Sequence, residues 1–171
     1  MATETLDPVL PSRVQEMAER VLDAAHEREL KLATAESCTG GLLAALLTDV
    51  RGRGHVFDRG FVVYSKDAKC DLLGIEREKV DSCGAVSEPV ALEMAQGALR
   101  RSQADVAVSI TGFAGPGGPD DEEGLVHFAC ARRDGDTCHR EEHFGAAGRG
   151  VIRVKSLEAM LDMLERSLEA L

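Results

Sequence analysis

The chain has no tryptophan, one tyrosine (Tyr64) and five phenylalanines in 171 residues. So small an aromatic complement leaves little surface on which unpaired bases could stack. Positive charge is also in short supply, with 20 Lys and Arg against 30 Asp and Glu and a formal net charge of −10. No block of Lys and Arg exceeds two residues. Nucleic-acid binding needs a basic face that displaces counterions, so no nucleic-acid partner is expected. Long apolar runs are missing, and nothing approaches the roughly 18 consecutive apolar residues of a membrane span. The start, Met1-Ala-Thr-Glu-Thr-Leu-Asp7, lacks the basic-then-apolar build of a secretory signal. The expectation is a cytoplasmic protein without a membrane partner. Finally, Cys38, Cys70, Cys83, Cys130 and Cys138 contain no Cys-x-x-Cys pair, which removes zinc-ribbon and thioredoxin readings. Four of these thiols read as buried or incidental; Cys38 is taken up below.

What is present fits a single soluble domain. Hydrophobic residues make up 44% and charged residues 29%, near the averages for globular proteins. Residues 1–7 read as a flexible tail and residues 8–171 as one domain. Val14, Met17, Ala18, Val21 and Ala25 recur at helical spacing, which predicts a helix over 8–29. A short strand follows over 31–36, then Ser37-Cys-Thr-Gly-Gly41, then an apolar helix over 42–50. The run Gly60-Phe-Val-Val-Tyr64 reads as a buried strand leading into a short helix over 65–73. Ser87-Glu-Pro89 starts a helix that runs to about residue 101, with Ser87 as its cap. Asp105 to Thr111 alternates like a strand, and a Gly/Pro/acid loop follows to Glu123. Two strands, 124–131 and 137–144, form a hairpin around Arg133-Asp-Gly-Asp136. A last helix over 149–170 carries Val154, Leu157, Leu161, Leu164 and Leu168 on one stripe, for the core or for a dimer contact. Helices alternating with strands predict an α/β fold, a three-layer α/β/α sandwich around a mixed, mostly parallel sheet.

Three stretches could carry chemistry. In Thr34-Ala-Glu-Ser-Cys-Thr-Gly-Gly41 a strand ends in Ser37 and a helix follows. That places a hydroxyl beside the first N–H groups of the helix, which can hold an oxyanion. Ser37 is thus a nucleophile or, with Thr39, merely a helix cap. A nucleophilic serine needs a base. There is no Gly-x-Ser-x-Gly elbow or Ser-x-x-Lys, and none of the five histidines adjoins a motif loop. Tyr64-Ser-Lys-Asp-Ala-Lys69 instead offers Tyr64, Lys66 and Lys69, and a desolvated lysine can act as a base near neutrality. Isolated, the same stretch is an ordinary surface. Ser109-Ile-Thr-Gly-Phe-Ala-Gly-Pro116 follows a strand, where α/β sites lie, with the glycine density of an anion cradle.

Two rivals stand beside them. His139-Arg-Glu-Glu-His143 fits a zinc-hydrolase pattern, which requires a helix. On a strand the two imidazoles sit roughly 13 Å apart, so no metal is expected. Cys38 is a second nucleophile next to Ser37 or, with no histidine partner, a packing residue.

These stretches, with Gly84-Ala-Val-Ser-Glu-Pro89 between them and in this order, resemble the CinA C-terminal domain family, whose enzymes are nicotinamide-nucleotide amidases. The resemblance spans roughly residues 10–168. It implies conversion of nicotinamide mononucleotide to nicotinate mononucleotide and ammonia, without metal or other cofactor. Ser37 would be the nucleophile, assisted by Tyr64 and Lys69, while Lys66 falls at a variable position. Cys38, Thr39, Gly40, Gly41, Ser109, Thr111, Gly112, Gly115, Pro116 and Arg153 are expected to line the substrate site, with Arg149 or Arg153 at the phosphate. The family often joins this domain to an N-terminal pyrophosphatase, an activity not expected here. Departures are the acidic loop 117–123, where relatives carry Lys-Pro, and Gly145-Ala-Ala-Gly-Arg149, which lacks the usual acids. A homo-oligomer, dimer or higher, is expected. The alternatives are a nucleotide- or partner-binding module with little turnover and an amidase for another small carboxamide.

Overall fold

The computed structural model describes residues 10–170; the expected tail at 1–7 lies outside them. Among these residues the order is α1 (Ser12–Glu27), β1 (Leu32–Glu36), α2 (Leu42–Asp49), β2 (Phe57–Val62), α3 (Lys66–Leu73), α4 (Arg77–Cys83), α5 (Glu88–Arg100), β3 (Val106–Gly112), β4 (Leu125–Arg132), β5 (Cys138–His143) and α6 (Arg149–Glu169). No described helix is long and apolar enough to cross a membrane.

The five strands form one sheet in the order β2-β1-β3-β4-β5. β1 pairs in parallel with β2 and with β3. β4 is antiparallel to both β3 and β5. The sheet is mixed as expected, but parallel pairing takes half of it rather than most. Helices cover both faces. Leu32, Val106, Val108, Ile110, Val126 and Phe128 pack with α1, α2 and α6 on one side. Ala33, Ala35 and Ala107 meet α3, α4 and α5 on the other, and Ala129 and Ala131 meet α5 there. That alanine face lets α5 lie close enough for Ser109 Oγ to donate to the Ala91 carbonyl at 2.6 Å. It also explains why β1 reads weakly as a strand: burial on both faces, rather than β propensity, holds it.

The stripe on α6 is spent on the core. Leu157, Leu161, Leu164 and Leu168 are buried, and Val154 packs against them. The strand read as fully buried is an edge strand. β2 is half-exposed along its length, it ends at Val62, and Val62 and Tyr64 are open to solvent. α4, absent from the sequence reading, is a seven-residue helix with one buried side chain, Val80.

The topology fixes where a site can lie. From β1 the chain passes to β2 on one side, then returns to β3 on the other. The carboxyl ends of β1 and β3 therefore diverge, leaving the crevice where α/β sheets take ligands.

Candidate active site

Ser37 directly follows β1, and its N–H donates to the Ile110 carbonyl of β3 at 2.9 Å. The backbone then turns sharply. Gly40 and Gly41 have φ of +60° and +92°, conformations that side chains resist. Gly41 leads into α2, whose first N–H groups have protein acceptors. Leu42 N–H donates to the Thr39 carbonyl at 3.1 Å. Leu43 and Ala44 N–H donate to the Glu36 carboxylate at 3.0 and 2.8 Å, and Thr39 Oγ1 donates to it at 2.6 Å. Glu36, buried at the end of β1, is the cap of α2. Neither Ser37 nor Thr39 caps the helix through its side chain, so the capping alternative for Ser37 falls. Sequence reading missed Glu36 because its two backbone partners lie seven and eight residues ahead, brought back only by the turn.

Ser37 Oγ instead meets Lys69. Lys69 Nζ donates to Ser37 Oγ and to the Val63 carbonyl, each at 2.9 Å, and lies 3.5 Å from the Tyr64 carbonyl. Ser65 sets this up by capping α3, accepting from Ala68 N–H at 3.0 Å and turning Lys69 inward. Lys69 is 1% exposed and no ion pair to a carboxylate is found for it among the described residues. Burial without a counter-charge lowers its pKa to about 8. Lys66, three residues earlier, points outward and pairs with Asp81 at 3.0 Å. Burial pushes the Cys38 thiol up to about 11, which makes it a poor thiolate and favours its packing role.

A cleft of about 260 Å³ opens over the pair, lined by Ser37, Cys38, Tyr64, Lys69, Thr111, Gly112, Gly115 and Pro116 among the expected residues. Ala85, Val86, Phe113, Ala114, Gly117 and Arg149 join them. Thr111 Oγ1 donates to the Ala85 carbonyl at 2.8 Å, tying the stretch before α5 to the end of β3. Gly112 is needed at that end, since a Cβ there would sit 2.7 Å from the Leu125 carbonyl oxygen.

The other expected lining residues stand back. Ser109 is fully buried and faces α5, so it supports the strand rather than the cleft. Thr39, Gly40 and Gly41 shape the turn behind Ser37 and do not line the cleft. Gly40 N–H is spent on the Ser37 carbonyl at 3.0 Å, which removes it as an oxyanion donor. Arg153 lies behind the turn, donating to the Thr39 carbonyl at 2.9 Å, while its buried Nε has no partner. Tyr64 lines the cleft from the rim at 68% exposure. No hydrogen bond joins its hydroxyl to Ser37 or Lys69 among the described residues.

The acidic loop is partly neutralised internally. Asp121 accepts from Gly118 N–H at 2.7 Å and Glu122 pairs with His143 at 2.7 Å. His139 and His143 lie on β5 rather than a helix. His139 meets His127 at 3.0 Å, and His143 meets Glu122 and Glu141.

The model of the CinA C-terminal domain matches residues 14–168. The chain belongs to that family. It is 41% identical over 160 residues to the nicotinamide-nucleotide amidohydrolase PncC of Escherichia coli K12, spanning 92% of this chain and 97% of that one. A CinA-like protein of Chlorobium limicola is 49% identical over 126 residues, 71% of this chain but 29% of that longer one. The crystal structure of the competence/damage inducible protein CihA from Agrobacterium tumefaciens superposes with a TM-score of 0.90 at 45% identity, covering 94% of this chain and 98% of that one. Among CinA C-terminal domains, then, this one brings its buried Ser–Lys pair to the cleft at the diverging ends of β1 and β3.

Proposed function

We propose that this CinA domain hydrolyses the carboxamide of nicotinamide mononucleotide, releasing nicotinate mononucleotide and ammonia. The observation that carries the reading is the 2.9 Å hydrogen bond from buried Lys69 Nζ to Ser37 Oγ. An amine held near pKa 8 is about one-tenth neutral at pH 7, enough to serve as a base. Similarity to PncC supplies the nucleotide amide as substrate class.

In this scheme neutral Lys69 takes the Ser37 proton as Oγ attacks the carboxamide carbon. The N–H of Cys38, at the turn, holds the oxyanion. The C–N bond then breaks, the Lys69 proton passes to the leaving nitrogen, and ammonia departs. Tyr64, at the rim, relays that proton or steers the amide. Water attacks the acyl-enzyme with Lys69 again as base, freeing the carboxylate and Ser37. The nucleotide's phosphate lies toward Arg149 at the start of α6, with Arg153 behind it. No cofactor takes part. Cytoplasmic residence and homo-oligomeric assembly belong to the same proposal.

Ammonia release from nicotinamide mononucleotide tests it. Wild-type protein should turn over, and Ser37→Ala should lose on the order of 10³-fold or more in kcat. Activity that survives Ser37→Ala overturns the mechanism. Binding without turnover by wild type makes the domain a nucleotide-binding module, and turnover of other small carboxamides alone reassigns the substrate.

A further inference from the structure

A second reactive constellation lies at the far end of the sheet. Cys130 on β4 stands directly opposite Cys138 on β5 in the antiparallel register. Residues so paired have Cα atoms about 4.5–5.5 Å apart, inside the roughly 4.4–6.8 Å that a disulfide spans. Their environments differ sharply. Cys130 is 0% exposed, within the core under α6. Cys138 is exposed, at the edge of a cleft of about 630 Å³ between β5 and the end of α6, beside Arg132. The thiols are separated by a hairpin turn, so no Cys-x-x-Cys spacing announces them.

We propose that Cys138 and Cys130 form a peroxide-reactive dithiol, with Cys138 taking the oxidant and Cys130 resolving it into a disulfide. The electrostatics match that division. Hydrogen bonding between the two thiols lowers Cys138 to about 6 and, with burial, raises Cys130 well above the ordinary thiol range. The thiolate therefore resides on the exposed partner, where an oxidant arrives.

The chemistry balances with a hydroperoxide as co-reactant. Cys138 thiolate attacks one peroxide oxygen, the O–O bond breaks, and the departing alkoxide or hydroxide takes up a proton. Cys138 is now a sulfenic acid. Cys130 sulfur then attacks the Cys138 sulfur, the S–O bond breaks, and hydroxide leaves as water with the Cys130 proton. Two thiols have lost two electrons to the peroxide, and β4 is joined covalently to β5. Ser37 and Lys69 take no part.

Limited hydrogen peroxide treatment of the reduced full chain, followed by tryptic mass mapping, tests this. Cleavage at Arg132 or Arg133 separates the two cysteines, so their disulfide appears as a cross-linked peptide pair. Cys138 should react at least about tenfold faster than the exposed Cys83, and the cross-link should accumulate. Cys138→Ser, a change at an exposed position, should abolish the cross-link, and Cys130→Ser should leave a Cys138 sulfenic acid that dimedone traps. Oxidation of Cys83 ahead of Cys138 overturns the proposal. So does a Cys138 sulfenic acid in wild-type chain that never closes onto Cys130.

Discussion

Two helices begin near the cleft, and they begin differently. At α2 the leading N–H groups are taken by the Thr39 carbonyl and by Glu36, a buried carboxylate from the preceding strand. At α6 the cap is Gly148, with no side-chain acceptor and no acid in the first turn. Its first residue, Arg149, reaches the cleft beside Gly115. Both starts carry the partial positive charge of a helix N-terminus. The α2 end uses it to anchor Glu36 and so fix the turn that presents Ser37. The α6 end has no side-chain cap to take it up. Proximity of Ser37 to α2 thus does not leave the first N–H groups of that helix free for an anion.

If the α2 end builds the chemistry and the α6 end only holds the ligand, changes at the first should lower kcat and changes at the second should raise KM. The largest effect is expected at Lys69. Lys69→Met should cost about 10²–10⁴-fold in kcat. Lys69 accepts a proton only when neutral, so wild-type kcat/KM should rise with pH through about 8 and level off above it. A residual rate of Lys69→Met that keeps this limb would remove Lys69 as the base. Next comes Glu36→Gln, which replaces an acceptor-only carboxylate facing three donors. The loss of about 2 kcal/mol should lower Tm by roughly 4–8 °C and reduce kcat as the turn loosens. An unchanged Tm would mean that the cap is not what fixes the turn. The smallest effect is Arg149→Ala, with KM for nicotinamide mononucleotide up about tenfold and kcat within about twofold. A fall in kcat alone would erase the distinction between the two helix starts.

Much of this was legible in the residues themselves. Periodicity located α1, α5 and α6 to within a few positions, and Ser87–Pro89 announced the start of α5 by capping chemistry. Lys69 and Ser37 could be named as partners only through the resemblance, since 32 residues separate them. What stayed hidden depended on the third dimension. Gly60–Tyr64 is apolar enough for a central strand, yet only its neighbours decide that β2 is an edge. Ser109 sits on the right strand but two residues too early, where the close approach of α5 claims its hydroxyl. α4 is too short to show a period. Glu36 looked like one acid among many until the chain folded back over it.

The stretch His139-Arg-Glu-Glu-His143, which imitates a metal-binding pattern, has another consequence as the outer strand β5. Among the described residues β5 and β2 are the sheet's two open margins. Unpaired margins invite strand-by-strand growth into aggregates, and charge placed along them is a common deterrent. β5 carries Arg140, Glu141 and Glu142 between its histidines, and β2 carries Asp58 and Arg59. Charge on both borders of the sheet thus disfavours its amyloid-like extension.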